Sequence, residues 1–252
     1  MADDAGGESL RASHTVESIR ARLKTATHHS YLCDFVYGGI DGAVTTFAVV
    51  SGVAGAGLSP GIVIILGLAN LIGDGFSMAA SNFLGSRADL QLLENTRRIE
   101  EQHIARYPEG EREEVRQILA AKGFQADALE NAVRTITADR ELWVDTMLRE
   151  EHGLSLDRPN PLRAAAVTLA AFVAIGFLPL LSFLADMLSI VTVSNPFLWS
   201  TVLTGIGFFT VGAIKSRFVS DRWYLAGLET LSVGGIAAAL AYAAGYILRD
   251  VV

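Results

Sequence analysis

Five long apolar stretches separated by polar segments dominate the pattern of the chain. Each stretch carries at most one charged residue and reaches the roughly 20 residues that an α-helix needs to cross a bilayer. The pattern therefore predicts five transmembrane helices, which cover Phe35–Gly57, Gly61–Phe83, Leu162–Ala185, Pro196–Ile214 and Trp223–Leu248.

A charged segment interrupts this pattern between the second and third stretches. It holds 27 of the 47 Asp, Glu, Lys and Arg residues of the chain, between Arg87 and Arg158. Helical periodicity and the Gly and Pro positions predict three helices there. The first continues the second span to about Tyr107, and the others cover Glu111–Ala121 and Gln125–His152. The predicted apolar face of the last helix consists of Leu129, Val133, Ile136, Leu142 and Trp143.

The predicted fold is an all-α integral membrane protein with five transmembrane helices and a three-helix cytosolic insert between spans 2 and 3. The domains expected are a partly disordered cytosolic tail (1–30), spans 1 and 2 (31–85), an acidic helical insert (86–160) and spans 3 to 5 (161–252). A small insert of this size buries little core and is expected to lean on a partner copy.

Composition and charge support a membrane protein of defined orientation. Hydrophobic residues make up 51% of the chain. A soluble fold would have to cover five apolar helices with polar residues, and the rest of the chain is too short to do so. The tail, the insert, Arg163 and the loop from Lys215 to Arg222 hold 19 of the 20 Lys and Arg residues. Basic residues favour the cytoplasmic side, so we expect the N-terminus and insert inside and the C-terminus outside. The single Cys33 excludes an internal disulfide.

Three pairs of candidate metal ligands lie in the insert. Glu100 and His103 share a helix face at a spacing of three residues, and Glu111 and Glu114 repeat that spacing beyond a turn. Met147 and Glu151 lie four residues apart near the end of the insert. Carboxylate, imidazole and thioether ligands together suit first-row divalent metals. The alternative is a solvated acidic surface, with Met147 as an ordinary core residue.

Ionisable residues also occur within the predicted spans, where they are costly and indicate function. Asp41 lies in the first span beside Gly38 and Gly42, whose spacing allows another helix or a second protomer to approach closely. The second span carries a polar stripe at four-residue intervals, formed by Asn70, Asp74, Met78 and Asn82. Such a stripe suits the passage of a transition metal. The alternative for each residue, and for Glu229 in the fifth span, is a hydrogen bond to a neighbouring helix.

Three segments resemble the vacuolar iron transporter family over most of the chain, from about His29 to Leu248. The run Asp34-Phe-Val-Tyr-Gly-Gly-Ile-Asp-Gly-Ala-Val-Thr-Thr-Phe-Ala-Val-Val-Ser-Gly52 resembles the family's first span. The stretch Gly73-Asp-Gly-Phe-Ser-Met-Ala-Ala-Ser-Asn-Phe-Leu84 is similar to its second, and Pro108–Val115 to the start of the second helix of its cytosolic metal-binding domain.

The resemblance implies a homodimeric, proton-coupled exporter of cytosolic Fe²⁺ and Mn²⁺, with Zn²⁺ and Co²⁺ as further candidate ions. Its path is expected along the dimer interface, where Gly38 and Gly42 pack. Asp41 is then the carboxylate that binds the ion and exchanges protons, and Met78 is a thioether ligand. In the insert, the implied metal ligands are Glu100, Glu111, Glu114, Met147 and Glu151, with His103 where the family has another glutamate.

Asn70 departs from the family, because the plant iron transporters carry a glutamate there and an amide cannot cycle a proton. Asp74, one turn away, is our candidate to replace it.

No prosthetic group and no nucleic-acid partner are expected, and the expected location is a bacterial inner membrane. The alternatives are a metal sensor or ferroxidase without transport, because Glu100-Glu-Gln-His103 has the form of a di-iron ligand pair. An intramembrane aspartyl protease that uses Asp41 and Asp74 is a further one.

Overall fold

The computed structural model describes residues 11–25, 30–219 and 222–251, which contain α-helices, one 3₁₀ turn and no strand. The helices are α1 (Val16–Thr25), α2 (Leu32–Gly55), α3 (Pro60–Arg106), α4 (Pro108–Ala121), α5 (Ala126–Ala138), α6 (Arg140–Glu150), α7 (Pro161–Gly176), α8 (Leu181–Met187), α9 (Pro196–Val219) and α10 (Trp223–Leu248). Of the tail predicted to be partly disordered, residues 1–10 and 26–29 lie outside the described ranges, whereas α1 is helical.

Five helical segments among the described residues are long and apolar enough to cross a membrane, which confirms the predicted class. They are Leu32–Gly55, Pro60–Arg106, Pro161–Met187, Pro196–Arg217 and Trp223–Leu248. The third comprises α7, a 3₁₀ turn at Leu178–Leu180 and α8. Pro179 lies in that turn, where its missing N–H and its ring prevent a regular helix.

The chain forms two compact units. One contains Ala88–Pro159 with the described part of Met1–Ser30, and the other contains Tyr31–Arg87 and Asn160–Val252. Helix α3 runs without a break through the boundary at Arg87, so its two ends belong to different units.

In the membrane unit, α2 packs closely against α7 through glycines. A Cβ atom at Gly38 would lie 2.4 Å from the backbone oxygen of Thr168, and one at Gly42 would lie 2.3 Å from that of Phe172. The predicted close approach therefore takes place within the chain. At both glycines this face of α2 meets α7 of the same chain, and the assignment of Gly38 and Gly42 to a dimer contact stays a prediction.

The insert differs from the predicted three helices. Residues 125–152 form two helices, α5 and α6, separated at Asp139, whose backbone is extended (φ −110°, ψ 116°). The Asp139 carboxylate accepts hydrogen bonds from the backbone N–H groups of Glu141 and Leu142, so it caps the start of α6. The end of α3 and helices α4 to α6 thus make four helical segments.

These segments enclose a small apolar core. Its buried members are Leu93, Ile104, Val115, Leu119, Val133, Trp143, Val144, Met147 and Leu148. Leu142, which we expected on the apolar face, is 44% exposed, because the break at Asp139 turns Val144 inward instead.

Candidate metal centre

Glu100, His103 and Glu111 meet at the turn between α3 and α4. Glu100 and His103 occupy the last two turns of α3. Glu111 lies in the first turn of α4, three residues after Pro108. The Nδ1 atom of His103 lies 3.9 Å from Oε1 of Glu100 and 3.5 Å from Oε1 of Glu111. Ligand atoms of all three residues lie within 4.8 Å of one another. The structure thus brings together three residues predicted from spacing.

A second group shares Glu100 and uses the end of α6. The Nε2 atom of His152 lies 2.9 Å from Oε1 of Glu100 and 3.7 Å from Oε2 of Glu151. Ligand atoms of Glu100, Glu151 and His152 also lie within 4.8 Å of one another. Glu100 is therefore common to both groups.

These separations suit the ligands of one cation. Two ligands that each lie about 2.1 Å from an ion are about 3.0 Å apart at a right angle and about 3.4 Å apart at the tetrahedral angle. The shorter distances in both groups fall close to this range. Two carboxylates and an imidazole in each group can hold a first-row divalent metal.

Burial makes the carboxylates of this cluster unusual. Glu100 is 2% exposed and Glu111 is 5% exposed, and Oε2 of each accepts no hydrogen bond among the described residues. Carboxylates are rarely so buried without a compensating positive charge. A bound cation would supply that charge.

Burial and neighbouring acids also change the protonation of the cluster. The pKa of Glu111 is raised to about 7, first by burial and then by the nearby charges of Glu114, Glu100 and Glu151. The pKa of Glu151 is raised for the same reasons, with burial and Glu114 foremost. A cation among these groups would favour their ionised forms.

Two further predicted ligands, Glu114 and Met147, lie outside both groups. Glu114 is exposed and belongs to neither group, although it is near enough to raise the pKa values of Glu111 and Glu151. Met147 is completely buried in the apolar core of the insert. Its role as a metal ligand stays a prediction.

In the membrane unit, Asp41 lines a groove of about 720 Å³. The other lining residues are Cys33, Asp34, Val36, Tyr37, Ile40, Val44, Lys215 and Val233. Asp74 lies on α3, which contacts α2 one turn earlier through Asn70. Asp41 is half-buried, so part of its surface is exposed.

The rest of the polar stripe makes contacts between helices. The Nδ2 atom of Asn70 donates to the hydroxyl groups of Thr45 at 3.1 Å and Thr46 at 3.3 Å, both on α2. The Nδ2 atom of Asn82 donates to Asp34 Oδ1 and to Thr168 Oγ1, each at 2.8 Å. Met78 is partly buried and packs against the apolar core of the unit.

Sequence reasoning missed three residues of these sites, namely His152, Asp34 and Lys215. His152 follows Glu151 directly, and its position beside a predicted ligand at a helix end was the available signal. Lys215 explains Glu229, whose role was open, because Lys215 Nζ donates to Glu229 Oε2 at 2.9 Å. Nothing in the spacing of positions 215 and 229 indicates that they pair.

Comparison with known proteins assigns the chain to a family. The sequence profile of the VIT family matches residues 32–246. The vacuolar iron transporter of Toxoplasma gondii is 30% identical over 257 residues, which cover 97% of this chain and 85% of that protein. Vacuolar iron transporter 1 of Arabidopsis thaliana is 30% identical over 86% of this chain and 85% of its own length. Vacuolar iron transporter 1 of Oryza sativa subsp. japonica is 29% identical over 96% of this chain and 95% of its own length.

The matched region begins and ends with the spans, since it extends from the start of α2 to near the end of α10. It therefore includes the groove around Asp41 and the whole acidic insert. Because this match covers most of the chain and the relatives are named transporters, the chain belongs to the VIT family and is an integral membrane transporter, not an enzyme.

Proposed function

We propose that this protein moves Fe²⁺ and Mn²⁺ out of the cytosol across its membrane in exchange for protons. The observation that carries the proposal is the groove of about 720 Å³ in the membrane unit, with the half-buried carboxylate of Asp41 in its wall. An ionisable group within a span is costly unless it serves a partner or an ion. The names of the relatives support iron as one cargo.

The insert is proposed to capture the ion. Glu100, Glu111 and Glu151 form a cluster whose negative charge attracts dilute cations, and His103 and His152 add nitrogen ligands. The buried Oε2 atoms of Glu100 and Glu111, which accept no hydrogen bond from the part of the chain that the structure describes, support this role. Co²⁺ and Zn²⁺ fit the same ligands and are further candidate cargo.

Proton exchange is proposed to act through Asp41. A carboxylate must be ionised to bind a metal, so a proton that arrives from the outer side displaces the ion from it. Asn70 cannot replace a carboxylate here, because its amide does not ionise, and its Nδ2 donates to Thr45 and Thr46. Asp74, one turn from Asn70 on α3, is the proposed second proton-binding group.

Two copies are proposed to form a homodimer with their first spans together, as the family resemblance implies. Tyr37, on the wall of the groove, is 68% exposed and supports an extended contact there.

The N-terminus and the insert are proposed to face the cytosol, because the basic residues cluster in these segments. A bacterial inner membrane is the proposed location, whereas the relatives are named vacuolar.

Proteoliposomes provide the test. Purified protein is reconstituted with an acidic interior and a pH-sensitive dye, and uptake of Mn²⁺, or of Fe²⁺ with a reductant, is measured together with internal alkalinisation. The wild type is expected to couple uptake to proton efflux, and Asp41→Asn to lose both. The matched control is Asp250→Asn, which removes an exposed carboxylate beyond the last span. Coupled exchange at the wild-type rate by Asp41→Asn would refute the mechanism.

The same assay separates the remaining alternative, a membrane sensor that binds metal without moving it. A sensor would bind metal in the insert and give no uptake in liposomes. The ferroxidase and the intramembrane aspartyl protease are not retained, because the VIT relatives are transporters and not enzymes.

A further inference from the structure

We propose that His152 is a metal ligand of the insert and sets its selectivity, so that Fe²⁺, Co²⁺ and Zn²⁺ bind more tightly than Mn²⁺. This inference rests on the proposed capture of metal by the insert. It adds a residue that neither spacing nor family resemblance indicated.

The imidazole of His152 is held in place by the end of α6. The backbone N–H of His152 donates to Met147 O at 3.2 Å, and that of Leu154 donates to Leu148 O at 2.9 Å. Gly153 has the positive φ of 64° that such a helix end requires. The side chain therefore projects from a hydrogen-bonded turn, which limits its freedom before any ion binds.

The contacts of this imidazole lead to the most buried acid of the insert. Nε2 of His152 lies 2.9 Å from Oε1 of Glu100, whose other oxygen is buried and without a hydrogen bond among the described residues. A cation bound beside Nε2 would compensate the negative charge of the Glu100 carboxylate and would accept the lone pair of the imidazole. Glu151, 3.7 Å from Nε2, completes three ligands.

Nitrogen ligands change which metals a site prefers. Carboxylates alone suit Mg²⁺, Ca²⁺ and Mn²⁺, whereas imidazole favours the later metals of the first row. His152 gives the Glu100–Glu151 pair such a ligand, and His103 gives one to the Glu100–Glu111 pair. Both groups around Glu100 are thereby biased away from Mn²⁺.

A competing explanation is that His152 only forms an ion pair that orients Glu100. That role predicts an equal loss of affinity for every metal when the imidazole is removed, because Glu100 serves all of them. A ligand role predicts a loss that is large for Co²⁺ and small for Mn²⁺. The ratio of the two affinities therefore separates the explanations.

The experiment uses the full chain in detergent with Asp41→Asn in every sample, so that the membrane groove contributes no carboxylate at that position. Co²⁺ binding is followed by visible absorption, and Mn²⁺ binding by the electron paramagnetic resonance of the free ion. His152→Gln, which keeps the size but offers no imidazole, is expected to lower the Co²⁺-to-Mn²⁺ affinity ratio by about tenfold or more. The matched control His14→Gln leaves the ratio unchanged.

A second variant guards against misfolding. His152→Glu supplies a carboxylate at the same place, and it is expected to hold Mn²⁺ while weakening the visible absorption of bound Co²⁺, to which His103 still offers a nitrogen. X-ray absorption of bound Co²⁺ is expected to show one imidazole fewer in both variants. An unchanged affinity ratio and imidazole count would overturn the inference and leave metal capture standing. If the unmodified insert binds neither ion, the proposed capture fails as well.

Discussion

Replacement of Glu111 by glutamine is expected to stabilise the insert at alkaline pH, although it removes a proposed metal ligand. Burial and acidic neighbours raise the pKa of Glu111 from 4.5 to about 7. The folded state therefore holds this proton more tightly than the unfolded state does. Its contribution to stability is complete below pH 4.5 and is lost as the pH rises to about 7.

The pKa values give the size of the effect. Because the pKa rises from 4.5 to about 7, ionisation of Glu111 lowers the stability of the insert by about 3 kcal/mol at pH 8 but by only about 1 kcal/mol at pH 5. Glutamine mimics the protonated acid and does not ionise, so the variant avoids this loss. For a unit of this size, the gain at pH 8 corresponds to a melting temperature higher by about 10 °C or more.

Trp143 provides the assay. Its ring is 3% exposed in the core of the insert, and the guanidinium of Arg112 lies 5.5 Å from the ring centre. Phenylalanine in place of Trp199 and Trp223 leaves it as the single tryptophan, since the chain has three. Thermal unfolding of the insert is then followed by Trp143 emission in detergent with a metal chelator, at pH 5 and pH 8.

The control is Glu113→Gln on the same helix. Glu113 is exposed and accepts a hydrogen bond from Arg116, which lowers its pKa, so its replacement is expected to give no stabilisation at pH 8. If the melting difference between Glu111→Gln and the wild type is the same at pH 5 and pH 8, Glu111 does not titrate as its burial indicates. The explanation given for the cluster would then be wrong.

Three further predictions concern other parts of the molecule. Gly42→Ala is expected to destabilise the membrane unit by about 1–3 kcal/mol in detergent melting, because its Cβ would strike the Phe172 backbone, whereas Gly73→Ala, with open space around it, is not. Metal affinity of the insert is expected to fall by up to about tenfold per pH unit below pH 7, because Glu111 must lose its proton; calorimetry at pH 6 and pH 8 measures this, and equal affinities would contradict it. Lys215→Met is expected to lower the Mn²⁺ concentration for half-maximal uptake by up to about fivefold, since it removes a positive charge from the groove of Asp41 and leaves Glu229 unpaired; an unchanged half-saturating concentration would count against that role.

The spans were predictable from the sequence because the bilayer imposes a strong length and polarity constraint on each helix. The ends of the helices in the insert were less predictable. Asp139 lies within an otherwise helical pattern, and an aspartate there is equally compatible with an exposed helix position or an N-cap. Only packing decides, since the cap allows Trp143, Val144, Met147 and Leu148 to share one buried face.

Part of the candidate metal centre could be predicted from local spacing. Glu100 and His103 lie on one turn of α3, and Glu111 returns to them across a short turn, so periodicity was sufficient. His152 contacts Glu100 from 52 positions further along the chain, beyond the end of a helix. No periodic pattern reaches that far. The glycines at 38 and 42 indicated a close contact correctly, but a pattern of small residues does not say which helix makes it.

The glycines of α2 also bear on how this chain can diverge. Toward the other end of α2, a Cβ at Gly55 would lie 2.2 Å from the Tyr242 backbone oxygen, and one at Gly245 on α10 would lie 2.0 Å from that of Gly52. The first span is thus held at both ends by backbone surfaces that admit no side chain. A saturation mutagenesis screen should find these positions intolerant even of alanine, while exposed sites such as Ile72 accept many residues. Sequence changes in the first span are therefore expected mainly on the faces that do not meet α7 and α10.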